Sequence, residues 1–159
     1  MNVGDVVDDF ELPDETGRPR TLSGLLEEGP VVLFFYPAAL TPGCTAEACH
    51  FRDLAGELAE VGAHPVGISA DEVGKQKEFA DRHALGYPLL SDADGAVRAR
   101  FGVKRGIALA PTRRQTFVIG TDRRVLEVVK SEIRMNVHAD RALAALRARA
   151  AKDGPGREM

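Results

Sequence analysis

Two cysteines lie close together in the chain, Cys44 and Cys49, and the sequence contains no others. An ionised cysteine is a nucleophile, and two neighbouring thiols can pass between the dithiol and the disulfide state. Such a pair serves redox catalysis, redox sensing or metal binding. Chemistry at sulfur is therefore the first hypothesis for this protein.

A helix start is predicted just before Cys44. Residues 31–36 are continuously apolar, β-branched and aromatic, which indicates a strand buried on both faces at the centre of a parallel sheet. Pro37 ends this strand, and Thr41 followed by Pro42 supplies an N-cap hydroxyl and a proline at the first helical position. Cys44 then lies in the first turn, where unpaired N–H groups and the helix dipole favour a thiolate.

Helical periodicity gives the two cysteines different surroundings. At about 100° per residue, Cys44 shares an apolar face with Ala48, Phe51 and Leu58, so it points inward. Cys49 lies roughly 140° around the helix and should be more exposed. Positions five apart are separated by at least ~7.5 Å in an intact helix, beyond the usual Cα distance of a disulfide. A bond between the two sulfurs therefore requires the first turns to unwind.

Composition predicts one compact domain that needs no disulfide to fold. The chain has 159 residues, of which 44% are hydrophobic. We expect residues 1–151 to form this single domain and residues 152–159 to be a flexible C-terminal tail. The acidic N-terminus lacks an apolar signal region, and no stretch approaches the roughly 20 residues of a membrane span. A cytoplasmic location is expected, and its reducing conditions disfavour a structural disulfide.

Neither a metal nor nucleic acid is predicted as a partner. A zinc site would need about four ligands, and the histidines show no spacing that completes a set with the cysteines. These histidines are His50, His64, His83 and His138. The net charge of −3, with both signs interspersed, provides no basic stripe for nucleic acid. We therefore expect a small soluble substrate or partner and no cofactor.

Strand and helix patterns alternate along the chain. The predicted strands are 9–12, 20–22, 31–36, 65–69, 87–90, 115–119 and 125–129, the last two forming a hairpin. The predicted helices start at Pro42, after Ser69 or Asp71, after Ser91-Asp92, and at His138. This order gives an α/β fold of thioredoxin-like type, with a central, mixed, mostly parallel sheet flanked by helices.

The residues around the cysteines resemble the peroxiredoxins. The resemblance rests on the stretch from Phe34 to Pro37, on Thr41 to Thr45, and on Cys49, whose spacing resembles the peroxiredoxin Q (bacterioferritin comigratory protein) group. Similar stretches at 66–71, 87–92, 101–103 and 114–119 extend it from about residue 3 to 149. The resemblance implies a thiol-dependent peroxidase that reduces hydrogen peroxide and organic hydroperoxides.

Roles for individual residues follow from the resemblance. Cys44 would be the peroxidatic cysteine, which becomes a sulfenic acid, and Cys49 the resolving cysteine, which forms a disulfide reduced by thioredoxin or a similar thiol. Pro37 would shield the thiolate from water, and Thr41 would hydrogen-bond the sulfur or the peroxide. Arg114 would stabilise the thiolate and polarise the O–O bond.

From the residues alone, simpler readings stay open. Cys49 could be an incidental surface thiol, Thr41 only an N-cap, and Pro37 only a strand terminator. Arg113 and Arg114 should point to opposite faces of a strand, and the register of the motif selects Arg114.

Several neighbours of the cysteines are predicted to have supporting roles at most. We expect Glu47 and Arg52 on the helix surface, where a charge near Cys44 could tune that thiol, and His50 solvated or half-buried without a catalytic role. The chain has only apolar residues between Pro37 and Thr41. Together with residues 106–111, these residues suggest an apolar pocket rim, and we expect the pocket to accept bulkier organic hydroperoxides.

Two other functions compete with the peroxidase. A thiol–disulfide oxidoreductase would normally separate its cysteines by two residues, whereas here four intervene. A redox-sensing binding protein would use the Cys44–Cys49 disulfide as a conformational switch, and turnover of peroxide would distinguish it from an enzyme. An internal resolving cysteine needs no partner subunit, so a monomer is expected, with a weak dimer as the alternative.

Overall fold

The computed structural model describes residues 1–105 and 111–157. The first two strands, β1 (Glu11–Pro13) and β2 (Pro19–Thr21), form an antiparallel hairpin. Five further strands of the described chain form a mixed sheet in the order β5-β4-β3-β6-β7. These are β3 (Val31–Phe35), β4 (His64–Ser69), β5 (Leu89–Ser91), β6 (Gln115–Ile119) and β7 (Val125–Lys130). The neighbours β3, β4 and β5 run parallel, whereas β6 is antiparallel to both β3 and β7.

Helices cover both faces of this sheet. They are α1 (Leu22–Leu26), α2 (Pro42–Glu60), α3 (Val73–His83), α4 (Ala96–Arg100) and α5 (Met135–Arg157). Buried side chains of α2, α3 and α5 form one core cluster on one face, and those of α1 and α4 belong to a second cluster on the other. The fold is the predicted thioredoxin-like α/β sandwich.

The central position of β3 follows from its sequence. Every side chain of β3 is buried, because alternate residues point into the two core clusters. Phe34 faces α2, where its ring stacks on Phe51 with centroids 4.2 Å apart. This contact fixes the cysteine-bearing helix on the middle of the sheet.

Some predicted boundaries were wrong. Residues 20–22 were predicted as one strand, but a short helix begins at Leu22, where Thr21 Oγ1 accepts a hydrogen bond from the N–H of Gly24. The N-cap of α3 is Glu72 rather than Ser69 or Asp71. Those two residues instead hold the loop before α2.

The last helix differs from its predicted bounds at both ends. It begins at Met135, before the predicted start at His138, and its backbone continues to Arg157, past the predicted boundary at residue 151. The flexibility of residues 152–159 and the single domain over 1–151 stay predictions. Within the part of the chain that the structure describes, each helix is too short or too polar to cross a bilayer.

Candidate active site

The loop between β3 and α2 is held by a carboxylate from the end of the neighbouring strand. Asp71 Oδ2 accepts hydrogen bonds of 2.7 Å from the backbone N–H of Ala39 and from Ser69 Oγ. The loop backbone is also strained, since Leu40 has a φ of 67°, in the left-handed region that residues with a side chain rarely adopt. The loop before Cys44 is thus fixed by tertiary contacts rather than by its own preference.

A buried amide supports this arrangement from behind. Gln76 Nε2 donates to Ser69 Oγ at 3.0 Å and to the carbonyl of Leu90 at 2.8 Å, and the Tyr36 hydroxyl donates to Gln76 Oε1. Burial raises the pKa of Tyr36, so its hydroxyl keeps the proton that this bond needs. The network connects the ends of β3, β4 and β5 beneath the loop.

Thr41 occupies the N-cap position of α2, but its hydroxyl does not cap the helix. The backbone of Thr41 is extended and Pro42 is the first helical residue, as predicted. Thr41 Oγ1, however, donates to the carbonyl of Ala38 at 2.8 Å, which closes the loop on itself. The predicted N-cap hydrogen bond is therefore wrong, although the predicted start of the helix is confirmed.

Cys44 is buried at the inner side of the first turn of α2, with 1% of its surface exposed. Its Sγ accepts a hydrogen bond of 3.2 Å from Arg114 Nη2. Both cysteines are free thiols, so the structure represents the reduced dithiol form. Cys49 is half-buried at the edge of the core cluster, on the same uninterrupted helix. The predicted difference in exposure between the two cysteines is confirmed in direction.

Arg114 is buried and has a donor directed to each of two groups. Besides the bond to Cys44, its Nη1 donates to Glu47 Oε1 at 2.6 Å. Its Nε is buried and finds no acceptor among the described residues. Burial opposes the charged guanidinium, but the negative charges of Glu47 and Cys44 outweigh it and raise the pKa of Arg114. The neighbouring Arg113 is exposed, so the two arginines differ in the way the strand alternation predicts.

Glu47 corrects the prediction that it lies on the helix surface. It is fully buried, and burial raises its pKa to about 8 despite the lowering by Arg114. The sequence contained the signal, because a residue three positions after Cys44 lies on the same side of a helix. If Cys44 points inward as predicted, a carboxylate on that side of the helix must be buried too, and Glu47 is buried.

His138 is a second buried titratable group that the sequence reasoning did not place in the site. Its Nε2 is 2.8 Å from the carbonyl of Ser131, its Nδ1 is 2.8 Å from Thr116 Oγ1, and Nδ1 is 3.7 Å from Glu47 Oε2. Its position on the apolar face of α5, four residues before the buried Ala142, could have signalled burial.

The remaining predicted residues lie around this core. Pro37 is half-buried two residues after the end of β3, and Thr41 is exposed at the loop end. Arg52 is partly exposed and donates to the carbonyl of His83 at 2.8 Å, whereas His50 is half-buried with Nε2 2.7 Å from Asp140. The part of the predicted rim between residues 106 and 110 lies outside the described residues.

The fold and this site define a class of protein. A buried thiol in the first turn of a helix, next to the central strand of a thioredoxin-like sheet and bonded to a buried arginine, is the arrangement of a thiol-dependent peroxidase. The family model of the AhpC/TSA family matches residues 3–128, and the chain belongs to that family.

Relatives of known name are similar over nearly the whole chain. A Mycobacterium tuberculosis protein that carries a provisional peroxiredoxin name is 66% identical over 150 residues, which cover 93% of this chain and 97% of that protein. The chloroplastic peroxiredoxin Q of Arabidopsis thaliana is 38% identical over 148 residues, covering 93% of this chain and 68% of the plant protein.

Solved structures agree with these relatives. The crystal structure of the peroxidoxin BcpB from Mycobacterium tuberculosis superposes with a TM-score of 0.90 at 66% identity, covering 93% of this chain and 97% of that one. A structure of the Xanthomonas campestris bacterioferritin comigratory protein, described for alkyl peroxide reduction, has a TM-score of 0.81 at 31% identity, covering 89% and 92%. The protein is a peroxiredoxin similar to the peroxiredoxin Q group, with a peroxide as substrate and a thiol as reductant.

Proposed function

We propose that Cys44 is the peroxidatic cysteine, that Cys49 is the resolving cysteine, and that thioredoxin or a similar dithiol reduces the resulting disulfide. The observation that carries this proposal is the 3.2 Å contact between Arg114 Nη2 and the buried Sγ of Cys44. A guanidinium stays charged at any physiological pH, so it stabilises the thiolate form of the sulfur it contacts.

In the first step, Sγ of Cys44 attacks the hydroperoxide oxygen that carries hydrogen. An S–O bond forms as the O–O bond breaks, and the other oxygen leaves and takes a proton from water to become water or an alcohol. Cys44 gives two electrons to the peroxide and becomes a sulfenic acid, whose hydrogen is the one that the attacked oxygen carried.

The side chains around Sγ have complementary roles in this step. Arg114 Nε, which has no acceptor among the described residues, is available to donate to the oxygen that gains negative charge. Thr41 has already given its hydrogen to Ala38, so the lone pairs of its hydroxyl can accept the O–H of the hydroperoxide. Pro37 has no N–H and covers the approach to the thiolate with an apolar ring.

In the second step, the Cys49 thiolate attacks the sulfenic sulfur of Cys44. An S–S bond forms, and the hydroxide that leaves takes up a proton as water. Because both cysteines lie on one intact helix in the reduced form, the first turns of α2 must unwind before the sulfurs meet. An external dithiol then supplies two electrons and two protons, and the helix forms again.

A coupled assay tests these assignments. Peroxide-dependent consumption of NADPH through thioredoxin and its reductase is measured for the native chain, Cys44→Ser and Cys49→Ser. We expect no activity from Cys44→Ser, and from Cys49→Ser a single round of sulfenic acid formation with poor recycling. Retained activity in Cys44→Ser would overturn the assignment, and a native chain that reacts once without cycling would indicate a redox sensor.

The range of substrates is a separate proposal. The loop residues Ala38 and Leu40 present apolar, partly buried side chains next to the site, which supports acceptance of organic hydroperoxides alongside hydrogen peroxide. The ratio of kcat/KM for cumene hydroperoxide to that for hydrogen peroxide measures this preference. A ratio far below one would count against it.

We also propose that the protein acts as a monomer in the cytoplasm, with a weak dimer as the alternative. Both cysteines of the cycle belong to one chain, so the chemistry requires no second subunit, and a reducing compartment would supply the dithiol. Light scattering at assay concentration and fractionation of cells would check the two statements. A stable dimer or an exported protein would contradict them.

A further inference from the structure

A buried carboxyl group and a buried imidazole face each other behind Arg114, and no step of the proposed cycle uses them. Glu47 Oε1 accepts the hydrogen bond from Arg114, but Glu47 Oε2 is buried without a hydrogen-bond partner among the described residues. His138 Nδ1 lies 3.7 Å from Glu47 Oε2, and both side chains are fully buried. An unpaired buried carboxylate oxygen is costly unless a proton or a positive charge accompanies it.

The surroundings of His138 allow it to hold or release a proton without losing a hydrogen bond. The carbonyl of Ser131 only accepts, so Nε2 of His138 carries a hydrogen in either state. The hydroxyl of Thr116 can donate to a bare Nδ1 or accept from a protonated one. The ring is therefore satisfied both as neutral imidazole and as imidazolium.

A count of charges shows what a proton would do here. The positive charge of Arg114 is matched by the thiolate of Cys44. If Glu47 were ionised beside a neutral His138, a second negative charge would compete for Arg114 and repel the thiolate. One proton on the pair removes that charge, whether it resides on Glu47 or on His138.

We propose that Glu47 and His138 share one proton and thereby reserve the charge of Arg114 for Cys44, so that His138 is a positioning residue that acts through Glu47. The inference rests on the proposed role of Cys44. Burial raises the pKa of Glu47 to about 8 and lowers that of His138, which agrees with a proton on the carboxyl group at neutral pH. The titratable and charged groups that act on the pair are Cys44, Tyr87, Arg114, Glu132 and Arg141.

The consequence is a loss of reactivity at high pH. As the pH rises through about 8, the pair loses its proton and the Glu47 carboxylate holds Arg114 more tightly while repelling the thiolate. The rate constant for oxidation of Cys44 should therefore fall on the alkaline side.

The experiment measures this rate in a Cys49→Ser parent, where only Cys44 reacts. The chain has no tryptophan whose fluorescence could report the reaction. The rate constant is therefore measured by competition with a haem peroxidase for hydrogen peroxide. The parent is compared with Glu47→Gln, His138→Gln and His138→Asn from about pH 6 to about pH 10. His138→Asn can present an acceptor near the Nδ1 position, and His138→Gln a donor near the Nε2 position.

We expect the parent to lose rate above about pH 8 and Glu47→Gln to lack this decline, because an amide does not ionise. In both His138 variants the midpoint should move to lower pH by roughly one unit, since the pair loses one of the two sites that can hold the proton. An infrared band of a protonated carboxylic acid should be present at neutral pH and absent in Glu47→Gln.

Identical alkaline profiles for the parent and Glu47→Gln would overturn the shared proton. An unshifted midpoint in both His138 variants, with intact circular dichroism, would remove His138 from the pair. If a His138 variant fails to fold, the comparison with Glu47→Gln and the infrared band still decides. Failure of the proposed function would look different, because Cys44→Ser would then retain peroxidase activity.

Discussion

The two sides of α2 differ in how firmly they hold their cysteine. On the inner side, Cys44 is almost fully buried and its sulfur bonds to Arg114, itself fixed by Glu47. On the other side, Cys49 is half-buried at the edge of the core, near the partly exposed Arg52. The first turn of α2 holds only Cys44, so the proposed difference in reactivity rests on the helix start together with these tertiary contacts. This difference agrees with the proposed roles, in which Cys44 attacks the peroxide and Cys49 later meets it.

The first turn of α2 and the part of the helix beyond Cys44 also differ in how firmly they are held. The part of α2 beyond Cys44 is held to the sheet by the stacking of Phe51 on Phe34 and by the Tyr87 hydroxyl, which donates to the carbonyl of Ala48 at 2.7 Å. The first turn depends on the strained loop and on the bond to Arg114. Unwinding from the N-terminal end is therefore the least costly route to the proposed disulfide.

The largest effect should come from removing the charge beside Cys44. We expect Arg114→Gln to lower the rate constant for Cys44 oxidation by about 10²–10³-fold, as loss of a positioned donor to developing charge does. Arg113→Gln is the matched control, because Arg113 is exposed and should leave the rate near native. Single-turnover oxidation by hydrogen peroxide measures both. Equal losses in the two variants would show that net charge, and not the contact to sulfur, matters.

Sequence reasoning identified Arg114, which contacts the sulfur of Cys44, but it did not predict the burial of Glu47 and His138 behind Arg114. The strand before Pro37, the helix from Pro42 and the inward direction of Cys44 follow from local periodicity, and these predictions are confirmed. The burial of Glu47 does not follow from its type, because a carboxylate is normally solvated. It depends on Arg114, which lies far away in sequence and meets Glu47 only through the sheet.

His138 was missed for a similar reason. A histidine at a helix start is compatible with solvent, and only the packing of α5 on α2 brings it to Glu47. Thr41 shows the opposite error, since its N-cap preference predicted a bond that the strained loop replaces with one to Ala38. Tertiary structure overrides local preference at the site itself, where such conflicts are expected.

The second prediction concerns the cost of burying Glu47 on the inner side. Its pKa is raised from 4.5 to about 8 in the folded chain, so its contribution to stability is present below about pH 4.5 and is lost as the pH rises to about 8. Glu47→Gln should remove this dependence, and the stability difference in its favour should grow by about 1.4 kcal/mol per pH unit. Urea unfolding at several pH values measures it.

Glu57→Gln on the outer side of the same helix is the control for that measurement. Glu57 is partly exposed and pairs with Arg147 at 2.9 Å, an interaction worth roughly 0–1 kcal/mol. Its substitution should leave the pH dependence of stability unchanged. If Glu47→Gln behaves like Glu57→Gln, the inner carboxyl group is ionised in the folded protein.

A smaller effect should follow from loosening α2 between the two cysteines. In Tyr87→Phe the hydrogen bond to Ala48 is lost from the intact helix, at a cost of about 1 kcal/mol. If Ala48 is released on unwinding, the disulfide should form several-fold faster, whereas the first oxidation of Cys44 should keep its rate. Mass spectrometry of quenched samples resolves the two steps. A slower disulfide step would mean that the segment around Ala48 stays helical.

The smallest effect should come from stiffening the first turn with Gly43→Ala. A Cβ at this position would meet the Met135 methyl at 3.4 Å and Arg114 Nη2 at 3.5 Å, which are ordinary contacts. Alanine favours the helix over glycine by roughly 0.5–1 kcal/mol, so disulfide formation should slow by about two- to fivefold. Gly56→Ala places the same change in an open position of α2 beyond the unwinding segment. It should raise stability without slowing the disulfide step, and a slowing in both variants would mean that α2 unwinds as a whole.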